Sequence, residues 1–138
     1  MKFSTRTTYG LRAMIQLATK YRQGNLSVAA IAKEEGISPG DLERIFAKLK
    51  KAELIKSEKG VSGGYVLSKK PQDISVFEIV RALEGKLSPF HCLDEKGKIF
   101  CSEKCNCGAT TVLVRVQEAV NKTLNSMTLG DLTVKNRS

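Results

Sequence analysis

Four cysteines are the residues whose type and spacing most clearly indicate chemistry in this chain. They lie within sixteen residues, at Cys92, Cys101, Cys105 and Cys107, and the rest of the chain has none. Isolated cysteines are most often small buried hydrophobes, whereas thiolates gathered in one loop suit zinc and iron–sulfur clusters alike. Their spacing only partly resembles the paired cysteines of zinc sites. We therefore interpret the cysteines as metal ligands, with the identity of the metal left open by spacing alone.

The composition places these thiols in a small basic protein. The chain has 138 residues, enough for one modest core, and 23 Lys and Arg against 14 Asp and Glu give a formal charge of +9. This surplus favours a polyanionic partner, most often nucleic acid, over simple solubility. No stretch approaches the roughly 18–20 apolar residues of a membrane span, and the first residues show no signal-peptide core. We expect a cytoplasmic protein with no membrane partner, whose clustered cysteines are ligands or redox thiols rather than disulfides.

The residues upstream of the cysteines predict a helix-turn-helix motif. Apolar residues three or four apart predict a first helix over residues 7–21. Ser27 and Ser38 are suited to cap a second helix over 28–35 and a third over 39–51, since serine side chains accept hydrogen bonds from the first free backbone amides. Two short capped helices joined by a tight turn are typical of helix-turn-helix proteins, although ordinary helical hairpins share the pattern.

A glycine-rich hairpin then extends this motif to a winged helix. Residues 54–57 and 65–67 are predicted to be short strands on either side of a tip at 58–64. The glycines of the tip permit positive φ and close approach to a phosphate backbone. A capping box formed by Ser75 and Glu78 then predicts a helix that completes the core. The predicted fold class is mainly α with a small β wing: a winged helix-turn-helix domain followed by a long C-terminal dimerisation helix.

The C-terminal part of the chain predicts a functional loop and a dimer contact. About two dozen residues without regular structure are unusual inside a compact domain unless they are functional or disordered. The last helix carries a long apolar stripe made of Val112, Leu113, Val116, Val120, Leu124 and Met127. We interpret this stripe as a dimer contact, with packing on its own domain as the alternative. The predicted divisions are a DNA-binding domain (1–84), a cysteine loop (85–108), a dimerisation helix (109–128) and a C-terminal tail (129–138).

Several motifs occur in the order and spacing of a known family. They are Tyr9-Gly10-Leu11-Arg12-Ala13, Ile31-Ala32, Ile37-Ser38 with Leu42-Glu43, Gly63-Gly64-Tyr65-Val66-Leu67, Phe77-Glu78-Ile79-Val80-Arg81-Ala82-Leu83-Glu84-Gly85, the cysteine loop, and Thr128-Leu129-Gly130-Asp131-Leu132. With them the chain resembles, over nearly its whole length, the IscR, NsrR and RirA type of bacterial iron–sulfur transcription regulators. The resemblance implies a homodimeric winged-helix repressor or activator rather than an enzyme. It also implies helices that cross between subunits, a palindromic double-stranded DNA operator, and a cluster that controls DNA affinity.

The same resemblance implies a ligand set for the cluster. By the family register, the three expected ligands are Cys92, Cys101 and Cys107. The fourth is open, because Thr110 stands where IscR-type members have histidine and Thr8 stands near the carboxylate that NsrR-type members supply from the partner. Cys105 is the leading candidate, ahead of an exogenous ligand, a residue of the other subunit or His91. We favour an iron–sulfur cluster, 2Fe–2S over 4Fe–4S, above zinc and above metal-free thiols that act directly or through a protein partner.

The third helix is the expected recognition helix, which lies in the major groove with its first residues at the base edges. The expected DNA-binding residues are Ser38, Pro39, Gly40, Glu43, Arg44 and Lys48 in this helix, and Lys59, Ser62 and Gly63 in the wing. Glu43 is suited to accept from cytosine, and Arg44 to donate to guanine or to a phosphate. Asp41 replaces the tyrosine expected from the family, so the base preference is expected to differ. Further phosphate contacts, lost with salt, are expected from Lys56, Lys59, Lys69 and Lys70.

Overall fold

The computed structural model describes residues 3–59, 63–85 and 108–133. In chain order its elements are α1 (Thr5–Thr19), α2 (Val28–Glu35), α3 (Pro39–Lys51), β1 (Ile55–Glu58), β2 (Gly64–Leu67), a 3-10 turn (Pro71–Asp73), α4 (Val76–Glu84), α5 (Gly108–Asn125) and α6 (Leu129–Thr133). This order confirms a mainly α fold with a small β wing. The first helix begins and ends two residues earlier than predicted, and the first strand begins one residue later.

Local capping explains the boundaries of the helix-turn-helix pair. The Ser27 hydroxyl accepts from the backbone amide of Ala30 at 3.1 Å, which satisfies one of the free donors at the start of α2. Gly36 ends α2 in the left-handed conformation, with φ of 69°, where a side chain would be strained. Ser38 repeats the cap at α3, and Pro39 occupies the first position of that helix. The turn between the helices is therefore fixed by residues whose types the backbone requires.

The core lies where α1, α3 and α4 meet. Four α3 residues on one face of the helix are fully buried: Leu42, Ile45, Phe46 and Leu49. They pack with Met14 and Leu17 of α1, so one face of α3 is committed to the core and the opposite face is left exposed. Gly10 allows α1 to approach α4 closely, because a Cβ atom there would lie 2.2 Å from Leu83 Cδ1.

The wing is attached firmly to α3. Strands β1 and β2 pair antiparallel, with Ile55 opposite Leu67. The Tyr65 ring packs edge-on against Phe46 with ring centroids 4.8 Å apart, and Lys50 Nζ donates to Ser57 Oγ at 2.9 Å. These contacts hold the base of the hairpin against the buried side of α3, so the recognition helix and the base of the wing form one surface.

The C-terminal part of the described chain contains a second, short helix and an apolar stripe that is only partly buried. Residues 129–133, within the predicted tail, form α6, whose Leu129 is fully buried and donates its backbone N–H to Ile74 at 2.8 Å. The apolar stripe of α5 is also divided. Leu124 packs within the protomer against α4, whereas Val112 and Val116 are 60% and 37% exposed. Packing within the protomer therefore buries the C-terminal end of the stripe and leaves its N-terminal part exposed.

Candidate nucleic-acid interface and cysteine loop

The predicted recognition residues lie together on the exposed face of α3. Six of them are solvent-accessible at or after the helix start, namely Ser38, Pro39, Gly40, Glu43, Arg44 and Lys48. Their side is opposite the apolar residues that enter the core. The start of α3 therefore presents polar and charged groups on a rigid helix end, the geometry that helix-turn-helix proteins use to contact base edges.

A groove of about 520 Å³ separates the start of α1 from α3. Its charged lining consists of three cations, Arg6, Arg44 and Lys48, and one acid, Asp41. Arg44 Nη2 donates to Asp41 Oδ1 at 2.5 Å, one helical turn along α3. Sequence reasoning missed the α1 part of this surface, Arg6 with Tyr9, because only the packing of α1 across α3 brings it there.

The wing residues are less uniformly placed for DNA. Lys59 and Gly63 are exposed on either side of the tip, while Ser62, with the rest of 60–62, lies outside the described residues. Lys69 instead contacts the start of α4, since its Nζ donates to Glu78 Oε1 at 3.1 Å. Partial burial alone would raise the pKa of Glu78, but hydrogen bonds from Ser75 and Lys69 outweigh it and lower that pKa. Lys69 is thus engaged with the α4 capping box, which weakens its assignment to the phosphate backbone.

The predicted cysteine ligands, together with His91, lie outside the described residues: Cys92, Cys101, Cys105 and Cys107. The chemistry of this donor set fits an iron–sulfur cluster or zinc, since both prefer thiolates. Thr8 is exposed in the first turn of α1 and Thr110 is buried in the first turn of α5, and neither provides an imidazole or a carboxylate. Within ranges 3–59, 63–85 and 108–133, no group of three or more potential metal ligands occurs.

The last residue of α4 before this loop is anchored to the start of α1. Glu84 Oε2 accepts from the Ser4 backbone N–H at 2.6 Å, from Ser4 Oγ at 2.9 Å and from Thr7 Oγ1. Partial burial alone would raise the pKa of Glu84, but the bonds from Thr7 and Ser4 and the charge of Arg6 outweigh it and lower that pKa. The carboxylate thereby replaces a side-chain cap at the positive end of α1, which also favours its charged form.

Replacing Glu84 by Ala is expected to reduce the free energy of unfolding by about 1–3 kcal/mol at pH 7, because the buried Thr7 hydroxyl loses a charged acceptor. A lowered folded pKa stabilises the protein above the unfolded value, about 4.3. This contribution is lost as the pH falls through the folded pKa. The stabilities of the wild-type and Glu84→Ala proteins in urea unfolding should therefore begin to converge below about pH 4.3 and should coincide below the folded pKa of Glu84.

The matched control for this prediction is Glu34→Ala, which removes an exposed carboxylate from α2. Its free energy of unfolding is expected to match that of the wild-type protein at pH 7 and in acid, since surface charges contribute little. A Glu84→Ala protein as stable as this control at pH 7, or one whose deficit persists in acid, would contradict the anchoring contribution of Glu84.

The described helices also bear on the membrane expectation. Among those in ranges 3–59, 63–85 and 108–133, none combines the length and the hydropathy required to cross a bilayer.

Comparison with known families gives a match over almost the whole chain. The model of the family described as "Rrf2: Iron-dependent Transcriptional regulator" matches residues 3–135. The match includes the helix-turn-helix, the wing, the cysteine loop and α6. The chain therefore has the organisation of this family from end to end, rather than a shared DNA-binding motif alone.

CymR and IscR regulators are both among the proteins similar to this chain. The chain is 37% identical over 132 residues to the HTH-type transcriptional regulator CymR of Bacillus subtilis. The aligned region covers 96% of this chain and 89% of the relative. The structure of that protein, described as the global cysteine regulator, superposes with a TM-score of 0.80 at 36% identity, covering 96% of each chain. The structure of T. potens IscR superposes with a TM-score of 0.78 at 34% identity, covering 100% of this chain and 89% of that one. Similarity alone therefore points to two kinds of regulator.

Proposed function

Because the chain belongs to the Rrf2 family of DNA-binding transcriptional regulators, we propose that it is a homodimeric regulator whose operator affinity is controlled by an iron–sulfur cluster. The cluster would be held by Cys92, Cys101 and Cys107, with Cys105 as the fourth ligand. The observation that carries this proposal is the occurrence of four thiols in one loop of a chain that the family model matches over residues 3–135. The family consists of transcriptional regulators, and the chain is not an enzyme.

DNA binding in this proposal rests on the exposed start of α3. With α3 in the major groove, Glu43 and Arg44 lie nearest the base edges, and Lys48 and Lys59 face the phosphates. The formal charge of +9 supports attraction to a polyanion. This electrostatic part is expected to be independent of sequence and to weaken as salt rises, whereas contacts to base edges supply specificity.

The cluster part of the proposal rests on donor chemistry and on similarity to the IscR proteins. When bound, a cluster would join distant points of the loop through thiolate bonds and would add a group that oxidants or iron shortage can remove. Among the described residues, Glu84 lies two residues before the undescribed part of the loop. It is the last residue of α4 and contacts Ser4 and Thr7 of α1. The end of the helix that leads into the loop and the start of α1 are thus joined by hydrogen bonds.

Coupling between the loop and DNA follows from where α1 begins. Its first turn lines the groove that also contains Arg44 and Lys48 of α3. We infer that a change in the loop shifts α4, that Glu84 transmits the shift to the start of α1, and that the groove changes shape at the DNA surface. Allosteric control requires two states of different DNA affinity, and this path supplies a physical link between the two sites.

Dimerisation in this proposal rests on an exposed apolar surface. Phe3 and Val116, with their neighbours Ala119 and Val120, line a groove of about 350 Å³ beside α5. Val112, one turn earlier in α5, is also exposed and enlarges this apolar surface. An apolar surface of this kind typically marks a protein–protein contact, and two copies related by a two-fold axis would place two α3 helices on a palindromic operator.

The experiment that tests the proposal is anaerobic purification followed by an absorption spectrum and counts of iron, sulfide and zinc per chain. Visible bands with matched iron and sulfide are expected. Two irons per chain would support 2Fe–2S, and four would support 4Fe–4S. A colourless protein with one zinc per chain, or with neither metal after reconstitution, would overturn the cluster.

The second candidate function is regulation by cysteine thiols, directly or through a protein partner, without a cluster. It is favoured by the similarity to CymR, which is described as a global cysteine regulator. In that case the operator affinity of metal-free protein would change on mild thiol oxidation or on addition of a partner protein. The four clustered thiols suit the cluster better, because four cysteines at these positions exceed what a single disulfide requires.

A further inference from the structure

The ion pair at the start of the recognition helix has a consequence for DNA sequence preference. Arg44 Nη2 donates to Asp41 Oδ1 at 2.5 Å. We propose that Asp41 is a positioning residue that holds the Arg44 guanidinium for hydrogen bonding to a guanine edge in the major groove. Asp41 thereby determines specificity without itself contacting a base. The proposal rests on the placement of α3 in the major groove.

The backbone that carries the pair is fixed from both sides. The Asp41 backbone N–H donates to Ser38 Oγ at 3.2 Å, so the cap of α3 sets the position of Asp41 itself. Leu42 and Ile45 each follow one member of the pair and are fully buried in the core. The separation of Asp41 and Arg44 by three residues places their side chains on the same helix face. The pair therefore has a defined position relative to the rest of the fold.

Folding stability does not explain why this pair is present. The side chains of Arg44 and Asp41 are 74% and 48% exposed, and ion pairs this exposed contribute little to stability. Both side chains line the groove between α1 and α3, at the surface proposed to face DNA. Their arrangement is consistent with a contribution to binding rather than to folding.

The chemistry of the pair favours a base over a phosphate. A guanidinium has five N–H donors, and the bond to Asp41 leaves donors suited to the two acceptors of guanine, O6 and N7. Orienting the long side chain before binding reduces the entropy that it loses on the DNA. The carboxylate also cancels the positive charge of Arg44 locally and repels phosphates, whereas Arg6 and Lys48 in the same groove supply phosphate attraction.

The test uses the full-length protein and a library of random-sequence duplex DNA. Sequences selected by the wild-type protein identify the guanine that it prefers most strongly in each half of its site. The ratio of dissociation constants for duplexes with and without that guanine is then measured for Asp41→Ala, Arg44→Ala and the double variant. We expect Arg44→Ala to lower this ratio by roughly 5- to 150-fold. Asp41→Ala should lower it by roughly 2- to 10-fold, the cost of ordering one long side chain.

Two signatures separate positioning from a general charge effect. In the Arg44→Ala background, Asp41→Ala is expected to cause no further loss of guanine preference, because its effect acts through Arg44. Asp41→Ala alone should bind random DNA more tightly at low salt, since one repulsive charge is gone. The matched control is Asp73→Ala, which removes an exposed carboxylate from the 3-10 turn and should leave the ratio unchanged.

Three outcomes would overturn the inference. The first is an unchanged ratio in Asp41→Ala. The second is a ratio unchanged in Arg44→Ala together with a salt slope reduced by about 0.9, the signature of a phosphate contact. The third is a wild-type protein that selects no sequence, which would overturn the placement of α3 on DNA as well. Arg44→Lys gives an independent check, since it keeps the charge but is expected to lose the preference for guanine.

Discussion

A Cys92→Ala variant purified without oxygen is expected to lack the visible absorption of the wild-type protein and to contain little iron or sulfide. With one of the three loop ligands expected from the family register removed, the cluster loses a thiolate that solvent replaces poorly. Wild-type protein with and without its cluster should differ in operator affinity by roughly 5- to 150-fold, the usual range of allosteric coupling. The Cys92→Ala protein should bind the operator with a single affinity, equal to that of the cluster-free wild type, whether or not it is treated to insert a cluster.

Two controls make the result specific to the ligand set. His91→Ala changes the neighbouring residue and is expected to keep the visible bands, because we do not assign His91 to the cluster. Cys105→Ala tests the fourth ligand: loss or rapid bleaching of the bands supports Cys105, and unchanged bands place the fourth ligand elsewhere. If Cys92→Ala retained wild-type iron and colour, the ligand assignment would be wrong. If it bound the operator with unchanged affinity and salt slope in every state, the coupling would be wrong.

The second large effect concerns the exposed side of α5. Val116→Asp is expected to convert the dimer to monomers, because a charge would be buried without a partner in an apolar contact. A monomer binds only one half of a palindromic operator, so the affinity should fall by roughly 10²- to 10⁴-fold, the advantage of linking two binding sites. Sedimentation measures the oligomeric state, and titration of a single half-site and of the full operator measures the two affinities.

The matched control is Lys122→Gln, which changes the formal charge by the same amount on an exposed part of α5 outside the apolar groove. This variant is expected to remain dimeric, with at most a small loss of affinity at low salt. Val116→Asp should still bind a half-site like the wild type, since α3 and its contacts are distant along the chain. Its persistence as a dimer would show that the exposed apolar side of α5 is not the subunit contact.

Much of the DNA-binding unit could be predicted because its signals are local. The serine caps at Ser27 and Ser38, the glycine at Gly36 and the capping box at Ser75 each depend on residues at most three or four apart. Such short-range patterns specify where helices begin and end. For the same reason the exposed face of α3 could be inferred from the spacing of its apolar residues. The cysteines, too, were recognisable from spacing alone, although their ligand assignment stays a prediction.

The remaining features depend on residues far apart in the chain. Nothing in the sequence around Glu84 indicates that it accepts hydrogen bonds from Ser4 and Thr7, some eighty residues earlier. The ion pair of Lys69 with Glu78 likewise depends on packing, and it weakens the expected phosphate contact of Lys69. The short helix at Leu129–Thr133 lies within the predicted tail, and a helix of five residues rarely forms without tertiary contacts.

Residue types along the chain are enough to predict a basic winged-helix protein with four thiols in one loop, since charge, caps and cysteine spacing can all be read locally. Which of these residues act together depends on how the helices pack. It brought the start of α1 beside α3, joined Glu84 to that start, and left Val116 exposed while enclosing Leu124. The physical reason is that packing depends on how helices cross, and helix crossing is set by the whole core rather than by any local pattern.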